Sequence, residues 1–427
     1  MVLTLFSWLA IFFVLSVPIA IALGLSSMIA LQTNDVPLLT LPQSLFESLD
    51  SFTLMAVPFF ILAGNLMQNG GISSRLIDLA NSIVGWIKGG LGAVAVLTSM
   101  FFATISGSSS ATTAAVGSIL IPAMEKKGYP KNFATAIAAA SGELGVIIPP
   151  SIAMIMYGLV ANVSIGKLFI AGIVPGVLIG GTLILAISIV ARIKGFDDVN
   201  EFKFSEWIKS IGKSFKKSFL AILMPVIILG GIYNGWFTPT EAAVVAVVYG
   251  FLLGTLIYKE IKLKDLPKIL GDSAITTSVI MLIVGFASIF AYILTMNRVP
   301  HNVGEIISSI SSNPLVFLLL VNCLLFLTGM FLETLAAIII LAPILAPVAM
   351  SYGIDPVHFG IIMVVNLAIG MVTPPVGVNL FVACQIADLR LDQLTRPLIL
   401  FLSILILDVL IISYVPVISL WLPSLGG

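Results

Sequence analysis

Two proline pairs, Pro149-Pro150 in "SGELGVIIPPSIAM" and Pro374-Pro375 in "NLAIGMVTPPVGVN", constrain this chain more than any other feature. Each lies inside a long apolar stretch. Proline lacks an N–H, and its ring clashes with the carbonyl four residues back, so neither stretch can run as one regular α-helix. The surroundings make that costly. Of the 427 residues, 59% are hydrophobic and 9% charged, with a mean hydropathy of +1.16. Soluble chains carry about 25% charged residues, so this is a polytopic integral membrane protein. An unpaired backbone group in hydrocarbon costs several kcal/mol, and a broken helix survives only where protein, ions or water satisfy it. Something polar must therefore meet residues 141–154 and again 366–379.

A membrane span takes about 20 apolar residues. Segments 3–30, 51–68, 168–193, 218–234, 242–258, 274–294 and 397–421 qualify as full spans. Segments 89–124, 132–163, 314–350 and 357–387 are short or carry a polar or Gly/Pro break. The N-terminal run has no basic region ahead of it and reads as the first span rather than a signal peptide. Eleven of the twenty Lys and Arg lie in 192–217 and 259–268, so both loops are expected in the cytoplasm. Lys126, Lys127, Lys131, Arg390 and Arg396 mark further cytoplasmic loops, while 234–241 has no basic residue and faces outward. These assignments agree only if 89–124 and 314–350 enter and leave on one side as re-entrant hairpins. Nine crossings then fit, with the N-terminus cytoplasmic and the C-terminus outside.

Three segments are amphipathic. In 202–219, Phe204, Trp207, Ile208, Ile211 and Phe215 share one helical face opposite a basic one, as in a helix lying along the cytoplasmic surface. Segments 73–88 and 303–311 show weaker versions, and loop helices resting on protein would look the same.

The proline pairs belong to a repeat. Pro122, Gly128, Gly145, Pro149 and Pro150 recur 225 residues later as Pro347, Gly353, Gly370, Pro374 and Pro375. The expected fold is all-α, with two inverted repeats, each holding a re-entrant hairpin and a Pro-Pro-broken helix. Residues 1–68 form N-terminal scaffold spans and 69–193 the first repeat. A central amphipathic helix with a scaffold span pair occupies 194–273, and the second repeat 274–421. Inverted repeats with discontinuous helices are the sequence sign of a secondary transporter, with its site near the midplane.

Two prolines in a row leave carbonyls without an intrahelical donor, and neighbouring glycine lets the backbone approach closely. Such carbonyls suit a hard cation. One hairpin tip offers Ser106, Ser108, Ser109, Ser110, Thr112 and Thr113, and the other Thr328, Glu333 and Thr334. Each break is expected to face its own tip and hold one Na⁺, with an anionic substrate between the tips against hydroxyls and helix N-termini. A carboxylate in a membrane segment is a functional candidate by default, so Glu333 is either an ion ligand or a proton carrier. Glu143 fits a structural role equally well. The hydroxyls have a plainer reading too, since Ser and Thr often bond back to helix carbonyls.

The motifs "SGSSSATTAAVGSILIPAMEKKGY", "LGVIIPPS", "GWFTPTEAAVVAVVYG" and "MVTPPVGVNLFV" together resemble the large membrane subunit of the tripartite ATP-independent periplasmic (TRAP) transporters, closest in look to sialic-acid members. The resemblance spans nearly the whole chain. It implies Na⁺-coupled uptake of an organic acid, sialic acid or a C4-dicarboxylate, across the bacterial inner membrane. It implies as partners a small four-helix membrane subunit, expected as a separate polypeptide, and a periplasmic substrate-binding protein, besides the surrounding phospholipid. It also implies an elevator, with a transport domain sliding against a scaffold. Carried over by position, one Na⁺ site uses Ser106, Ser110, Gly145 and Ile148. The other uses Thr328, Glu333, Thr334, Gly370 and Thr373. The substrate is expected at Ser106, Ser108, Ser151, Asn379 and Glu333.

Other classes fit less well. Zero net charge suggests no nucleic-acid partner, and Cys323 and Cys384 read as packing residues. No nucleotide or metalloprotease motif is present. "SGSSSAT" resembles a nucleophile-rich turn, but no His or Lys lies in that segment to activate it, so no enzyme activity is expected. A stand-alone Na⁺- or H⁺-coupled anion transporter without partners stays open.

Overall fold

The computed structural model describes residues 1–196 and 203–425. Among these the regular elements are helices, with no strand. Helices Ile165–Lys194, Phe204–Tyr233, Pro239–Ile257, Leu263–Met296 and Leu391–Tyr414 are long and apolar enough to cross a bilayer. Thr334–Ser351 passes the same measure but serves as a hairpin arm.

The repeat is present element by element. The first copy runs Ile72–Val84, Gly90–Ser106, Ser109–Lys126, Lys131–Gly142, Ile152–Val160 and Ile165–Lys194. The second runs Val299–Ile310, Pro314–Gly329, Thr334–Ser351, Pro356–Gly370, Val378–Ala387 and Leu391–Tyr414. Both proline pairs hold a cis peptide bond, and Gly128 and Gly353 both take positive φ, 85° and 76°.

The copies are inverted. The base of the first hairpin, at Gly89, packs on Ala191, beside Arg192 and Lys194 at the end of its span. The base of the second is tied by the Tyr414 hydroxyl, which donates to the Leu315 carbonyl at 3.1 Å. Tyr414 ends a helix that starts just after Arg390, so the second hairpin opens at the opposite face.

Local chemistry explains the turns. Gly107 takes φ 60° and closes the first arm, its N–H donating to Ala103 O at 3.1 Å. Ser108 caps the next helix by accepting from the Ala111 N–H at 3.5 Å. Against that arm packs Lys131–Gly142, where Ala134, Ala136, Ala138, Ala139 and Ala140 are all buried. Such small side chains let helix backbones approach closely where no water drives association. The hairpins are not equal. The arms of the first pack along each other, whereas Pro314–Gly329 lies mainly against Pro356–Gly370 rather than its sister arm.

Three expectations are corrected. Segment 3–30 is not one span but two helices, Val2–Val14 and Ile19–Gln32, packed side by side. Ser16 turns the chain at φ 58° and Pro18 blocks continuation. The Asn297 amide lies 3.3 Å from Met1 Sδ, so the N-terminus shares a face with the end of Leu266–Met296, away from the basic loop 259–268. By length and composition the described residues hold six helices able to cross a bilayer, or up to nine if each bent pair counts as one span. The amphipathic segment and the span 218–234 are one unbroken helix, Phe204–Tyr233. Phe202, where the amphipathic reading began, lies outside the described residues. Phe204, Ile208 and Phe215 are exposed along the described part. The last span ends at Tyr414, and a short helix, Val417–Ser424, follows Pro416.

Candidate functional site

The two tips meet at one cavity of about 430 Å³. Ser106, Gly107, Ser108, Ser109 and Ser110 come from the first tip, Glu333 and Thr334 from the second, and Met371 from the second break. Asn65, Gln68 and Thr276 form part of the facing wall. The sequence reading missed these three. The spacing of Asn65 and Gln68 on one face of an otherwise apolar helix was the available signal.

The first tip and first break touch through their backbones. The Ile152 N–H donates to Gly107 O at 3.5 Å. A Cβ on Gly145 would stand 2.5 Å from the Ser108 carbonyl oxygen and would also strike the Thr112 hydroxyl. Only glycine permits that approach. Ser106 Oγ and Thr112 Oγ1 lie 2.8 Å apart, and the Thr112 hydroxyl donates to Ser108 O at 2.8 Å. Ser108 and Ser110 hydroxyls are 3.3 Å apart. Ile148 packs its side chain on Gly176, so only its backbone is left for a polar ligand.

The second pair is built alike. A Cβ on Gly370 would sit 2.5 Å from Gly329 Cα, and the Gly377 N–H donates to Met330 O at 3.1 Å. The Thr328 and Thr373 hydroxyls donate back to Leu324 O at 2.8 Å and Ile369 O at 2.9 Å. That is the plain reading of such residues, although each oxygen keeps lone pairs. Thr334 Oγ1 lies 2.9 Å from Met371 Sδ. Glu333 opens onto the cavity and is the one ionisable side chain among the described residues lining it.

Ser106, Ser108, Ser110, Glu333 and Thr334 thus line one cavity. Ser151 and Asn379 are not on the cavity wall. Ser151 is fully buried, donates to Val146 O at 2.6 Å and caps the following helix through the Met154 N–H. Asn379 is fully buried and donates from Nδ2 to Glu143 Oε1 at 2.5 Å. Asp408 is also buried and accepts from the Thr182 hydroxyl at 2.7 Å, joining the long spans of the two repeats.

The donors at both tip–break pairs are carbonyl, hydroxyl and carboxylate oxygens, a set that suits a hard cation. Among the described residues no group of three His, Cys, Asp or Glu converges.

Inverted repeats whose hairpin tips share one polar cavity define a helical membrane permease. The chain matches the family described as "Tripartite ATP-independent periplasmic transporter, DctM component" over residues 6–418, and it belongs to that family. It is 46% identical over 383 residues to the C4-dicarboxylate TRAP transporter large permease protein DctM of Pseudomonas aeruginosa, covering 90% of this chain and 89% of that one. It is 38% identical to the sialic acid TRAP transporter large permease protein SiaM of Vibrio cholerae, covering 100% and 99%. The crystal structure of the Alcanivorax borkumensis YdaH transporter shares the fold, with a TM-score of 0.64 at 17% identity over 91% of this chain and 89% of that one.

Proposed function

We propose that this chain is the permease subunit of a Na⁺-driven importer of a small organic anion in a bacterial inner membrane. The observation that carries the reading is the close backbone approach of each tip to its break, Gly107 to Ile152 and Ser108 to Gly145 at one pair, Gly329 to Gly370 and Met330 to Gly377 at the other. Each pair gathers oxygens that a Na⁺ ion needs. The anion then sits in the cavity between the tips, against the first tip's hydroxyls and the start of Ser109–Lys126, where helix N–H groups point outward.

Alternating access has its support in a second cleft. A space of about 520 Å³ lies between Ser51, Leu54 and Val284 on one side and Met156, Pro343 and Met350 on the other. The two clefts border the same pair of units near opposite faces: Gln68 and Thr276 mark one, Thr295 and Asn162 the other. Hairpins and broken helices form the moving unit, and Thr53–Asn69 with Leu266–Met296 the fixed wall.

The relative named for C4-dicarboxylates is more similar than the one named for sialic acid, 46% against 38%. Both substrates are candidates, and a C4-dicarboxylate is the first to test. A small membrane subunit and a periplasmic binding protein complete the importer in this reading. The test is uptake of labelled succinate and sialic acid into proteoliposomes holding the chain with those two partners. Uptake should follow an inward Na⁺ gradient and vanish when K⁺ replaces Na⁺. Uptake indifferent to Na⁺ rejects the coupling, and full uptake without a binding protein rejects the three-part assembly.

A further inference from the structure

The cavity is not the only place where the two repeats meet through polar atoms. Glu143 lies in the turn after Lys131–Gly142, two residues before Gly145, whose backbone touches the first tip. Asn379 lies two residues after Gly377, whose N–H holds the second tip at Met330 O. Asn379 also donates its own N–H to Met371 O at 3.1 Å, inside the second break. The side chains of Glu143 and Asn379, 236 residues apart in sequence, are joined by one hydrogen bond. Both residues are fully buried. Among the described residues, Glu143 Oε2 and Asn379 Oδ1 have no hydrogen-bond partner. Among the described residues the bond is thus the sole polar anchor of either side chain, and it ties the first break to the second directly.

We propose that Glu143 and Asn379 form the link through which the two tip–break pairs sense each other, so that closing one around its ion favours closing the other. This rests on the Na⁺ reading above. The physical reason is the position of the link. Gly145 can sit against Ser108 and Thr112 only if the turn holding Glu143 is in place. Gly377 can reach Met330 only if the start of Val378–Ala387 is in place. Neither residue lines the cavity, and in this reading both are positioning residues. A shift of either turn breaks the bond and leaves buried polar atoms unpartnered, which is unfavourable in a dry interior. The two breaks therefore move together or lose the bond. A second contact runs in parallel, since Met371 Sδ meets Ser109 of one tip at 3.8 Å and Thr334 of the other at 2.9 Å. Thioether contacts are soft and adaptable, so the amide–carboxyl bond is the directional one.

The test is direct ²²Na⁺ binding to the purified full-length chain, which needs no substrate. Wild type should bind sigmoidally, with two ions at saturation. Glu143→Leu should keep two ions, lose the sigmoid shape and need at least ~5-fold more Na⁺ for half-saturation, the low end of usual coupling between sites. Glu143→Gln should restore cooperativity, because its carbonyl still accepts from Asn379 Nδ2 and its amide can donate to Asn379 Oδ1. A merely structural role would alter stability and leave the shape of the isotherm unchanged. If Glu143→Leu does not give a monodisperse protein, Asn379→Ser carries the comparison. A sigmoidal isotherm in the variant, or a hyperbolic one in wild type, overturns the link while leaving Na⁺ binding intact. No saturable ²²Na⁺ binding in wild type overturns the Na⁺ reading itself.

Discussion

Gly370→Ala is the sharpest perturbation of the proposed ion sites. The added methyl would stand 2.5 Å from Gly329 Cα and 3.0 Å from the Met330 nitrogen. Both neighbours are backbone, so no side chain can swing away and the tip must lift off the break. Forcing one carbon into a packed site costs about 1–3 kcal/mol. If the ion binds only when tip and break touch, that energy comes out of the binding free energy. At 1.4 kcal/mol per tenfold, half-saturating Na⁺ should rise by about 5- to 150-fold. The comparison variant is Gly181→Ala, where a Cβ meets nothing within 4 Å. It should bind Na⁺ as wild type does, and a mid-helix alanine should stabilise it slightly. The assay is ²²Na⁺ binding, with thermal unfolding in Na⁺-free buffer to separate a local effect from general damage. Gly370→Ala with a wild-type half-saturation would refute the reasoning, because the backbone contact would then have no part in holding the ion.

Three further outcomes are expected. Glu333→Gln keeps the side chain's shape but removes the cavity's ionisable group, and losing a charge-assisted contact of about 1.5–3 kcal/mol should cut Na⁺-driven uptake by roughly 10- to 100-fold; unchanged uptake would assign Glu333 to packing. Thr182→Val removes the hydroxyl that donates to Asp408 and should lower stability by about 1–3 kcal/mol, read as a fall in the detergent-solubilised melting temperature with Na⁺ affinity unchanged. Trp236→Cys and Lys262→Cys, in a chain with Cys323 and Cys384 replaced by alanine, should react with an impermeant maleimide from opposite faces of the membrane; a cysteine added before Met1 should label with Trp236→Cys, and labelling with Lys262→Cys would refute the N-terminal placement.

What the sequence revealed and what it hid follow from the reach of each residue's chemistry. Proline and glycine act on their own backbone, so Pro149, Pro150, Pro374 and Pro375 marked both breaks, and Gly128 and Gly353 marked both turns with no knowledge of neighbours. Lys and Arg are excluded from hydrocarbon, which was enough to make the hairpins re-entrant. The turn at Ser16 left no such mark. It takes positive φ on a non-glycine residue between apolar runs, and summed hydropathy cannot see it; Pro18 was the one warning. Ser151 and Asn379 sat beside the breaks in sequence and were placed on the cavity for that reason. Their side chains turn inward instead, Ser151 to cap a helix and Asn379 to meet Glu143. A bond between residues 236 positions apart has no local signature.

The equivalence of the two repeats makes one difference between them informative. Ser108 and Glu333 occupy the same place, each the residue just before the second hairpin arm. Ser108 accepts the Ala111 N–H and so completes its helix start. Glu333 makes no such cap, and its carboxylate is left free to face the cavity. Two half-sites with nearly the same backbone therefore differ in charge. A substrate anion placed midway would be drawn to the hydroxyls and N–H groups of the first tip and repelled by a bare carboxylate at the second. A cation held beside Glu333 removes that repulsion. On this reasoning the ion at the second pair makes room for the anion, and the order follows: Na⁺ first, substrate second. Substrate binding measured without Na⁺ should then be weak in wild type and stronger in Glu333→Gln. Equal Na⁺-free affinity in the two proteins would show that the carboxylate does not face the anion.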